Sequence, residues 1–482
     1  MPYVLGIHVG ATATSAAVAR REGGRWGAAQ PLPLSSTAQT VPTVLCRVQD
    51  GSFVAGEPAS RQELTHHEWV VRGFTRQVGD DAPMLVGSEF VSAQALVASM
   101  VEWVADVVAQ QLGHPAEHIT LAHSALWGPF RTHLVRQALA GLGLRDVTMV
   151  PEPVAVAMDY ASKQQVTEQG KVAVANVGGS GFDATVLQHR APGFDVLGSP
   201  LDAGYPSGQD LDDEVFGHVR EAFGEHIDEL DPTDRTHRAA LAGLRAECAR
   251  AKEALSYHPG ATVRVDLPQV RTDFALSRSR FEQLSRGHLE RIPELLLQSI
   301  QSAGLGKSSE SDRAARTGKT ASVSSGGTGA DDLDAVVLAG GSVRTPLAKQ
   351  IVAERLETTP QVDAAPELVA ARGAAVSAVG VLSKGSDQQA SAAETSVLMR
   401  VEGGPDSDRV DIIEAQRQRE AEPRPPVQVK AMYVEPPDED RERRLKILKL
   451  SLAALLILAG LALTFVQTVE GHPLSPTTST QR

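Results

Sequence analysis

The sequence predicts an α/β fold, because short apolar segments typical of buried strands alternate with segments of helical periodicity over residues 1–383. With 482 residues, 42% of them hydrophobic, the chain is long enough for two or three packed layers or lobes. Its two cysteines exclude a disulfide framework and a cysteine-rich metal site. The net charge of −13 argues against a nucleic-acid partner, because little would neutralise the phosphates.

The predicted elements follow one another along the chain in a regular order. A strand at residues 3–8 enters a glycine turn and returns as a second strand at 13–19, and residues 96–108 have apolar side chains at helical spacing. The later elements are a strand at 119–122, a helix at 130–142, a strand at 147–150, a helix at 154–161 opened by Pro151, strands at 172–175 and 335–338, and a helix at 346–356. Buried strands that lead into glycine turns are typical of α/β proteins.

Three of these strands end in glycine turns, at residues 6–12 (GIHVGAT), 176–183 (NVGGSGFD) and 338–342 (LAGGS). Glycine at such a position lets backbone N–H groups approach an anion, because no Cβ stands in the way. The first two turns, as hairpin loops, would hold phosphates from two sides, and the third opens a helix whose N-terminus favours an anion. One such turn is weak evidence, but three together predict two lobes that close on a nucleotide.

Two polar segments interrupt the α/β pattern. Residues 306–332 are rich in serine, glycine and charge, and they predict a disordered insertion inside a domain because structure resumes directly after them. Residues 384–446 contain several prolines and an acidic run, and they predict a disordered stalk.

The C-terminal region contains an uncharged apolar run at residues 450–466 (LSLAALLILAGLALTFV). A transmembrane helix over 447–469 is the favoured interpretation, and a buried helix is the alternative. Basic residues precede this run, at Arg441, Arg443, Arg444, Lys446 and Lys449. The positive-inside rule therefore predicts a single-pass protein of the cell membrane, with the large N-terminal part in the cytoplasm and a short external tail at 470–482.

Several motifs carry a resemblance to one family, and they occur in the family's order. They lie at residues 6–12, 39–43 (QTVPT), 151–157 (PEPVAVA), 176–183, 207–212 (SGQDLD), 248–256 (CARAKEALS), 279–284 (SRFEQL), 340–346 (GGSVRTP) and 371–376 (ARGAAV). Over about residues 1–383, the chain resembles the ATPase domain of the DnaK-type chaperones, the heat shock protein 70 family. The resemblance implies an actin-like ATPase fold with two lobes, at 1–165 and 166–383. Each lobe would have a mixed sheet flanked by helices, with a nucleotide cleft between them.

The resemblance also implies ATP or ADP as the ligand and a set of residues that bind it. Lys252 matches the family lysine that reaches the ribose. The implied binding residues are Gly10, Thr12, Gly178, Gly179, Ser180, Gly181, Lys252, Ser256, Gly340, Gly341, Ser342 and Arg344.

The positions that support hydrolysis in the family are mostly replaced here. His8 and Asn176 stand where the family has aspartates, and Thr75 aligns with the family lysine near the γ-phosphate. Among these positions only Glu152 keeps its carboxylate, so the sequence predicts no metal-ligand set and leaves Mg²⁺ uncertain. The imidazole of His8 is expected to pair with a phosphate or with Glu152, or to be an ordinary polar residue at a strand end. The sequence therefore predicts that ATP hydrolysis is very slow or absent, and an active ATPase is the alternative.

Residues 384–482 are not expected to form the peptide clamp and lid that follow the ATPase domain in the family. Three functions therefore remain open. The first is a nucleotide-responsive scaffold or regulator at the cytoplasmic membrane face, acting on a protein partner that the sequence does not identify. The second is an active ATPase with a chaperone-like role at the membrane, and the third is a binding module that takes no nucleotide.

Overall fold

A computed structural model describes residues 1–398 except 37, 49–50, 64–65, 165 and 306–329, and for residues 384–398 it describes the backbone alone. The predicted transmembrane helix at 447–469, the tail at 470–482 and the part of the stalk after residue 398 lie outside the described residues. Most of the predicted insertion also lies outside them. Its last residues, Ala330–Asp332, form a 3-10 turn.

The first half of the described chain contains a large mixed sheet, two smaller sheets and four helices. Its strands are β1 (Tyr3–Val9), β2 (Ala13–Glu22), β3 (Arg25–Trp26), β4 (Gln30–Leu32), β5 (Thr40–Pro42), β6 (Val44–Arg47), β7 (Phe53–Ala55), β8 (Val70–Arg72), β9 (Met84–Val86), β10 (Glu89–Val91), β11 (His118–His123) and β12 (Val147–Pro151). Its helices are α1 (Glu57–Gln62), α2 (Ala93–Leu112), α3 (Pro129–Gly141) and α4 (Glu152–Lys163).

The second half contains a five-stranded sheet, a separate hairpin and six helices among the described residues. Its strands are β13 (Lys171–Val177), β14 (Phe182–Arg190), β15 (Gly193–Ala203), β16 (Gly260–Leu267), β17 (Val270–Ser277), β18 (Ala335–Ala339) and β19 (Gln361–Val362). Its helices are α5 (Gly208–Asp228), α6 (Arg235–Leu255), α7 (Arg278–Leu289), α8 (Arg291–Ser302), α9 (Pro346–Leu356) and α10 (Val369–Leu398).

The two large sheets repeat one topology. In the first sheet, β12, β11 and β1 are parallel neighbours, and β2 returns antiparallel to β1. In the second sheet, β19, β18 and β13 are parallel neighbours, and β14 returns antiparallel to β13. In each half the glycine turn joins the innermost parallel strand to its antiparallel partner. Both hairpin turns therefore lie at the carboxyl ends of parallel strands, where α/β sheets commonly bind ligands.

Helices α4 and α10 pack between the two sheets. Val156 of α4 and Ala374 of α10 share one buried cluster with Ala122 of β11 and Val174 of β13. Glycine permits these close contacts, because a Cβ on Gly373 would lie 1.6 Å from the carbonyl oxygen of Ala155. The sequence placed α10 in the second lobe, but the helix also packs against the first sheet.

Helix α10 continues to Leu398 and so includes the first fifteen residues of the predicted stalk, 384–398. Residues 384–398 include three alanines and two glutamines, which favour a helix in a segment that is otherwise mostly polar. Polarity alone is therefore a poor guide to where this helix ends.

Within the described residues, helix α2 is long and apolar enough to cross a membrane by length and composition. Its side chains at Leu96, Met100 and Val104 are buried in the core of the first half, together with Leu5 and Leu121 of the first sheet. This packing is typical of a core helix.

Candidate functional site

The three glycine turns line one cleft of about 400 Å³. Most of the site residues predicted from the sequence lie in its wall. They are His8, Gly10, Thr12, Thr75, Glu152, Asn176, Gly178, Gly179, Ser180, Gly181, Gly340 and Gly341.

The first two turns have the same hydrogen-bonded form. The Gly10 N–H donates to the Ala13 carbonyl at 3.0 Å, and the Gly178 N–H donates to the Gly181 carbonyl at 2.8 Å. The turns also lie against each other, because a Cβ on Gly179 would stand 2.1 Å from the Thr12 hydroxyl. A larger residue at position 179 would separate them.

The second turn is held from behind by the N-terminus of α5 and by Ser342. The N–H groups of Gly208 and Gln209 donate to the carbonyls of Gly178 and Gly179 at 2.9 and 2.8 Å, and the Ser342 hydroxyl donates to the Gly178 carbonyl at 3.1 Å. These bonds use the carbonyl groups of the second turn, but several backbone N–H groups of the first two turns have no hydrogen-bond acceptor. Among the described residues, the N–H groups of Ala11, Thr12, Gly179 and Ser180 donate no backbone hydrogen bond outside regular elements.

Two buried polar atoms in the cleft wall also have no hydrogen-bond partner, the Ser180 Oγ and the Asp183 Oδ1. Buried polar groups in native proteins are almost always hydrogen-bonded, so such atoms in a cleft point to a ligand. Together with the unused amides, they fit a nucleotide phosphate chain.

A chain of polar contacts crosses the base of the cleft. The His8 Nε2 lies 3.0 Å from the Glu152 Oε1, and both side chains are largely buried. The Asn176 Nδ2 donates to the same Glu152 oxygen at 3.0 Å and to the Asp183 Oδ2 at 2.8 Å. Of the alternatives left open for His8, pairing with Glu152 is the one observed.

The pKa values follow from this arrangement. Burial alone lowers the pKa of His8, but the charge and hydrogen bond of Glu152 raise it above its ordinary value. Burial raises the pKa of Glu152, but His8 above all lowers it below the ordinary value. Burial, and next the charge of Glu152, hold the pKa of Asp183 well above its ordinary range. The arrangement therefore favours a cationic His8, an anionic Glu152 and a neutral Asp183.

The sequence reasoning missed five charged residues of the cleft wall, Asp183, Asp202, Glu367, Arg76 and Arg131. The sequence did contain a signal for Asp183, because this residue is the last of the second glycine motif. In the structure it pairs with Asn176 in the hairpin register. Asp202 pairs with Asp183 across β14 and β15, which only the observed register reveals. Neither arginine could be placed in the cleft from local sequence.

The donor set does not fit hydrated Mg²⁺. The Glu152 Oε1 already accepts from His8 and Asn176, the cationic form of His8 repels a metal ion, and the raised pKa of Asp183 favours its neutral form. Magnesium prefers several anionic oxygens and their bound waters. No group of three or more His, Cys, Asp or Glu side chains in the described part of the chain has the arrangement of a metal site.

Four predicted binding residues, Lys252, Ser256, Ser342 and Arg344, do not line the cleft. The Lys252 Nζ pairs with the Asp212 carboxylate at 2.8 Å and donates to the Gly208 carbonyl at 3.1 Å. The Arg344 Nε donates to Glu367 at 2.9 Å. Ser256 caps the C-terminus of α6. That these four residues bind the nucleotide stays a prediction.

A family model described as Hsp70 protein matches residues 83–314 and 312–393 of this chain. The chain belongs to the Hsp70 family. It is similar to the chaperone protein DnaK of Metamycoplasma hominis, with 25% identity over 382 residues. The alignment covers 78% of this chain and 58% of that protein, so the chain spans less than two thirds of the length of this relative.

Membership in the Hsp70 family agrees with the repeated α/β halves and with a cleft between the glycine turns. The coarse prediction of an Hsp70-type nucleotide-binding domain of actin-like fold is thereby confirmed. ATP and ADP are the general ligands of this family. The donor set argues against the use of Mg²⁺ by this Hsp70 family member.

Proposed function

We propose that this Hsp70 family member binds ATP or ADP in the cleft but hydrolyses ATP very slowly or not at all. In this proposal it is a nucleotide-responsive scaffold or regulator for a protein partner. It is held at the cytoplasmic face of the cell membrane by residues 447–469. The bound nucleotide would bias the relative position of the two halves, and thereby a partner surface.

One observation carries the hydrolytic part of the proposal. The Glu152 carboxylate is neutralised by the contact with His8, and Asn176 adds an amide donor to the same oxygen. Hydrolysis of a phosphoanhydride needs charge stabilisation at the transferred phosphoryl group and an oriented water molecule. Because both donors contact the Glu152 Oε1 and His8 adds a positive charge beside it, this carboxylate is a poor metal ligand and a poor base.

The binding part of the proposal is supported by different groups. The unused amides of the two hairpin turns and the Ser180 hydroxyl are donors that a phosphate chain would accept from. These groups need no carboxylate, so loss of hydrolysis and retention of binding are compatible.

Titration of ATP and ADP into the full-length protein in detergent tests this proposal, with and without Mg²⁺. We expect both nucleotides to bind in the absence of Mg²⁺, and a phosphate-release assay on the same sample to show no turnover above the uncatalysed rate. The matched control is Gly179→Val, which should abolish binding, because a Cβ at this position collides with Thr12.

Two results would contradict the proposal in different ways. Phosphate release that depends on Mg²⁺ would favour the second candidate, an active ATPase. That candidate draws support from Asp183, whose Oδ1 is free within the cleft. Failure of both nucleotides to bind would favour a binding module without nucleotide.

The membrane part of the proposal has its own test. Because residues 450–466 are uncharged and basic residues precede them, deletion of residues 447–482 should move the protein from the membrane fraction to the soluble fraction. The full-length protein should stay in the membrane fraction through a high-salt and an alkaline wash, which remove proteins held by charge. Recovery of the intact chain in the soluble fraction would contradict the anchor.

A further inference from the structure

The hairpin formed by β2 and β3 extends from the first sheet at the end opposite to the glycine turns. Strand β2 starts at the first glycine turn and ends at Glu22, and the two-residue turn Gly23–Gly24 joins it to β3. Both glycines have a positive φ, at 56° and 83°, as is common in two-residue hairpin turns. Both are exposed, and a Cβ on either would meet nothing beyond its chain neighbours within 4 Å. The tip of the hairpin therefore lies in solvent.

Helix α10 leaves the first half of the molecule beside this hairpin. Near the middle of β2, Ala375 of α10 packs with Ala17. Further along both elements, Leu382 of α10 and Trp26 of β3 pack against one small buried cluster that includes Ala19. The helix thus runs alongside β2 in the same direction, away from the cleft. The chain that leads to the proposed membrane anchor departs past the end of the molecule that carries the hairpin.

Three arginines lie at the hairpin tip, Arg20, Arg21 and Arg25. Among the described residues, no carboxylate forms an ion pair within 4.0 Å of any of these guanidinium groups. One carboxylate, that of Glu22, lies opposite Arg25 in the hairpin register, so the tip keeps a net positive charge. The whole chain has a formal net charge of −13. The tip is therefore a basic surface on an acidic protein.

The hairpin also carries an aromatic side chain beside one of its arginines. Arg21 and Trp26 lie opposite each other in the register, and the guanidinium carbon of Arg21 is 5.5 Å from the centre of the Trp26 ring. On α10, next to Leu382, the side chain of Val381 is 40% exposed. Tryptophan is enriched where membranes meet water, and basic residues there are attracted to anionic lipids. This combination of side chains is suited to a lipid headgroup layer.

We propose that the tip of the β2–β3 hairpin docks on anionic lipid headgroups of the membrane that holds the anchor, with the nucleotide cleft turned away from the bilayer. This inference rests on the proposed membrane anchor and adds an orientation of the protein at the membrane. Because the protein as a whole is acidic, anionic lipids repel most of its surface. The Debye length is about 8 Å at physiological salt, so the headgroups attract the hairpin while more distant acidic groups are screened.

The anchor makes weak docking sufficient. Residues 399–446 connect α10 to the proposed anchor, and the sequence predicts a disordered stalk there. A flexible linker holds a tethered surface near its target at an effective concentration of about 1 mM. Each arginine beside an anionic membrane favours docking about fivefold, so three arginines favour it about a hundredfold before the repulsion of Glu22 is subtracted. A surface too weak to bind lipid by itself can therefore dock when it is tethered.

Energy transfer from a dye on the hairpin to dye-labelled lipid headgroups tests this inference. Full-length protein with the substitution Gly27→Cys is labelled at the new thiol and placed in lipid nanodiscs. Gly27 is exposed, and a Cβ there would make only an ordinary contact, 3.5 Å from the Arg20 carbonyl oxygen. The native cysteines, Cys46 and Cys248, are buried. We expect strong transfer in nanodiscs that contain phosphatidylglycerol and weak transfer in nanodiscs of phosphatidylcholine alone.

Two double variants of the labelled protein make the test specific. Arg21→Gln/Arg25→Gln should lower the ratio of docked to undocked protein about 25-fold in the anionic nanodiscs. The matched control, Arg264→Gln/Arg271→Gln, removes two exposed arginines from the β16–β17 hairpin of the second half, and transfer should not change. Salt at about 1 M shortens the Debye length to about 3 Å and should release the hairpin from the lipids.

The outcomes separate this inference from the proposed function. Equal transfer in the two kinds of nanodisc, unchanged by Arg21→Gln/Arg25→Gln, would overturn the inference and leave the anchor intact. Equal losses in both double variants would also overturn it, because general charge rather than the hairpin would then attract the protein to the lipids. Failure of the full-length protein to copurify with nanodiscs would overturn the anchor and this inference together. Nucleotide binding in the cleft is independent of all three results.

Discussion

Simultaneous replacement of His8 and Asn176 by aspartate is expected to make the stability of the protein depend on Mg²⁺. The double variant would bring four carboxyl groups together, at positions 8, 152, 176 and 183, where the wild type has one carboxylate neutralised by an imidazole. Without a cation these groups repel one another, and burial adds a further penalty for each charge. A divalent cation would relieve both effects.

The measurement is thermal unfolding of the double variant at increasing Mg²⁺. Without Mg²⁺ its melting temperature should lie below that of the wild type. Mg²⁺ at about one hundred times its dissociation constant should restore about 2.7 kcal/mol through preferential binding to the folded state. The wild type should respond little, because Glu152 is already engaged by His8 and Asn176.

The controls separate a created metal site from a general effect of charge. His8→Gln removes the cation but adds no carboxylate, and its melting temperature should not respond to Mg²⁺. Ca²⁺ and K⁺ added to the double variant show whether the response is specific for Mg²⁺. A double variant whose stability is insensitive to Mg²⁺ would contradict the view that the substitutions at positions 8 and 176 disable metal binding.

Removal of the Arg372 guanidinium by Arg372→Met is expected to destabilise the protein by about 3–5 kcal/mol, because it leaves a buried carboxylate without its main partner. Arg372 of α10 makes two hydrogen bonds to Asp159 of α4, at 2.9 and 3.0 Å, and its Nη2 lies 2.7 Å from Asp363. Both Arg372 and Asp159 are almost fully buried. The pair joins the two helices that pack between the sheets.

The matched control is Lys163→Met, which removes the other cation of the same cluster. The Lys163 Nζ also contacts Asp159 and Asp363, at 2.7 and 3.0 Å, but its side chain is 42% exposed. Its loss should destabilise the protein by about 1 kcal/mol or less, as for a surface ion pair. Chemical denaturation of both variants gives the comparison.

A loss for Arg372→Met no larger than that for Lys163→Met would show that the buried pair contributes little to stability. In that case we would expect Asp159 to have become neutral or solvated in the variant. The double variant Asp159→Leu/Arg372→Met should recover much of the loss if the isolated charge is its cause.

Much of the local structure could be predicted from the sequence. The helix at 346–356 has the predicted bounds, and the strand at 3–8 differs by one residue from β1. These segments have apolar runs with glycine or proline at their ends, so neighbouring residues determine them. By contrast, β15 is partly exposed along most of its length and pairs through β14, so no local alternation indicated it.

The sequence by itself determined the Hsp70-type fold and the position of the three glycine turns, because a glycine at a strand end acts through its own backbone. Only the tertiary structure decided which side chains meet in the cleft. His8, Glu152 and Asn176 come from β1, α4 and β13, and the approach of Arg76 to Gly181 joins the two halves. Contacts between distant segments depend on how α4 and α10 pack the sheets together, and no local pattern of residues encodes that packing.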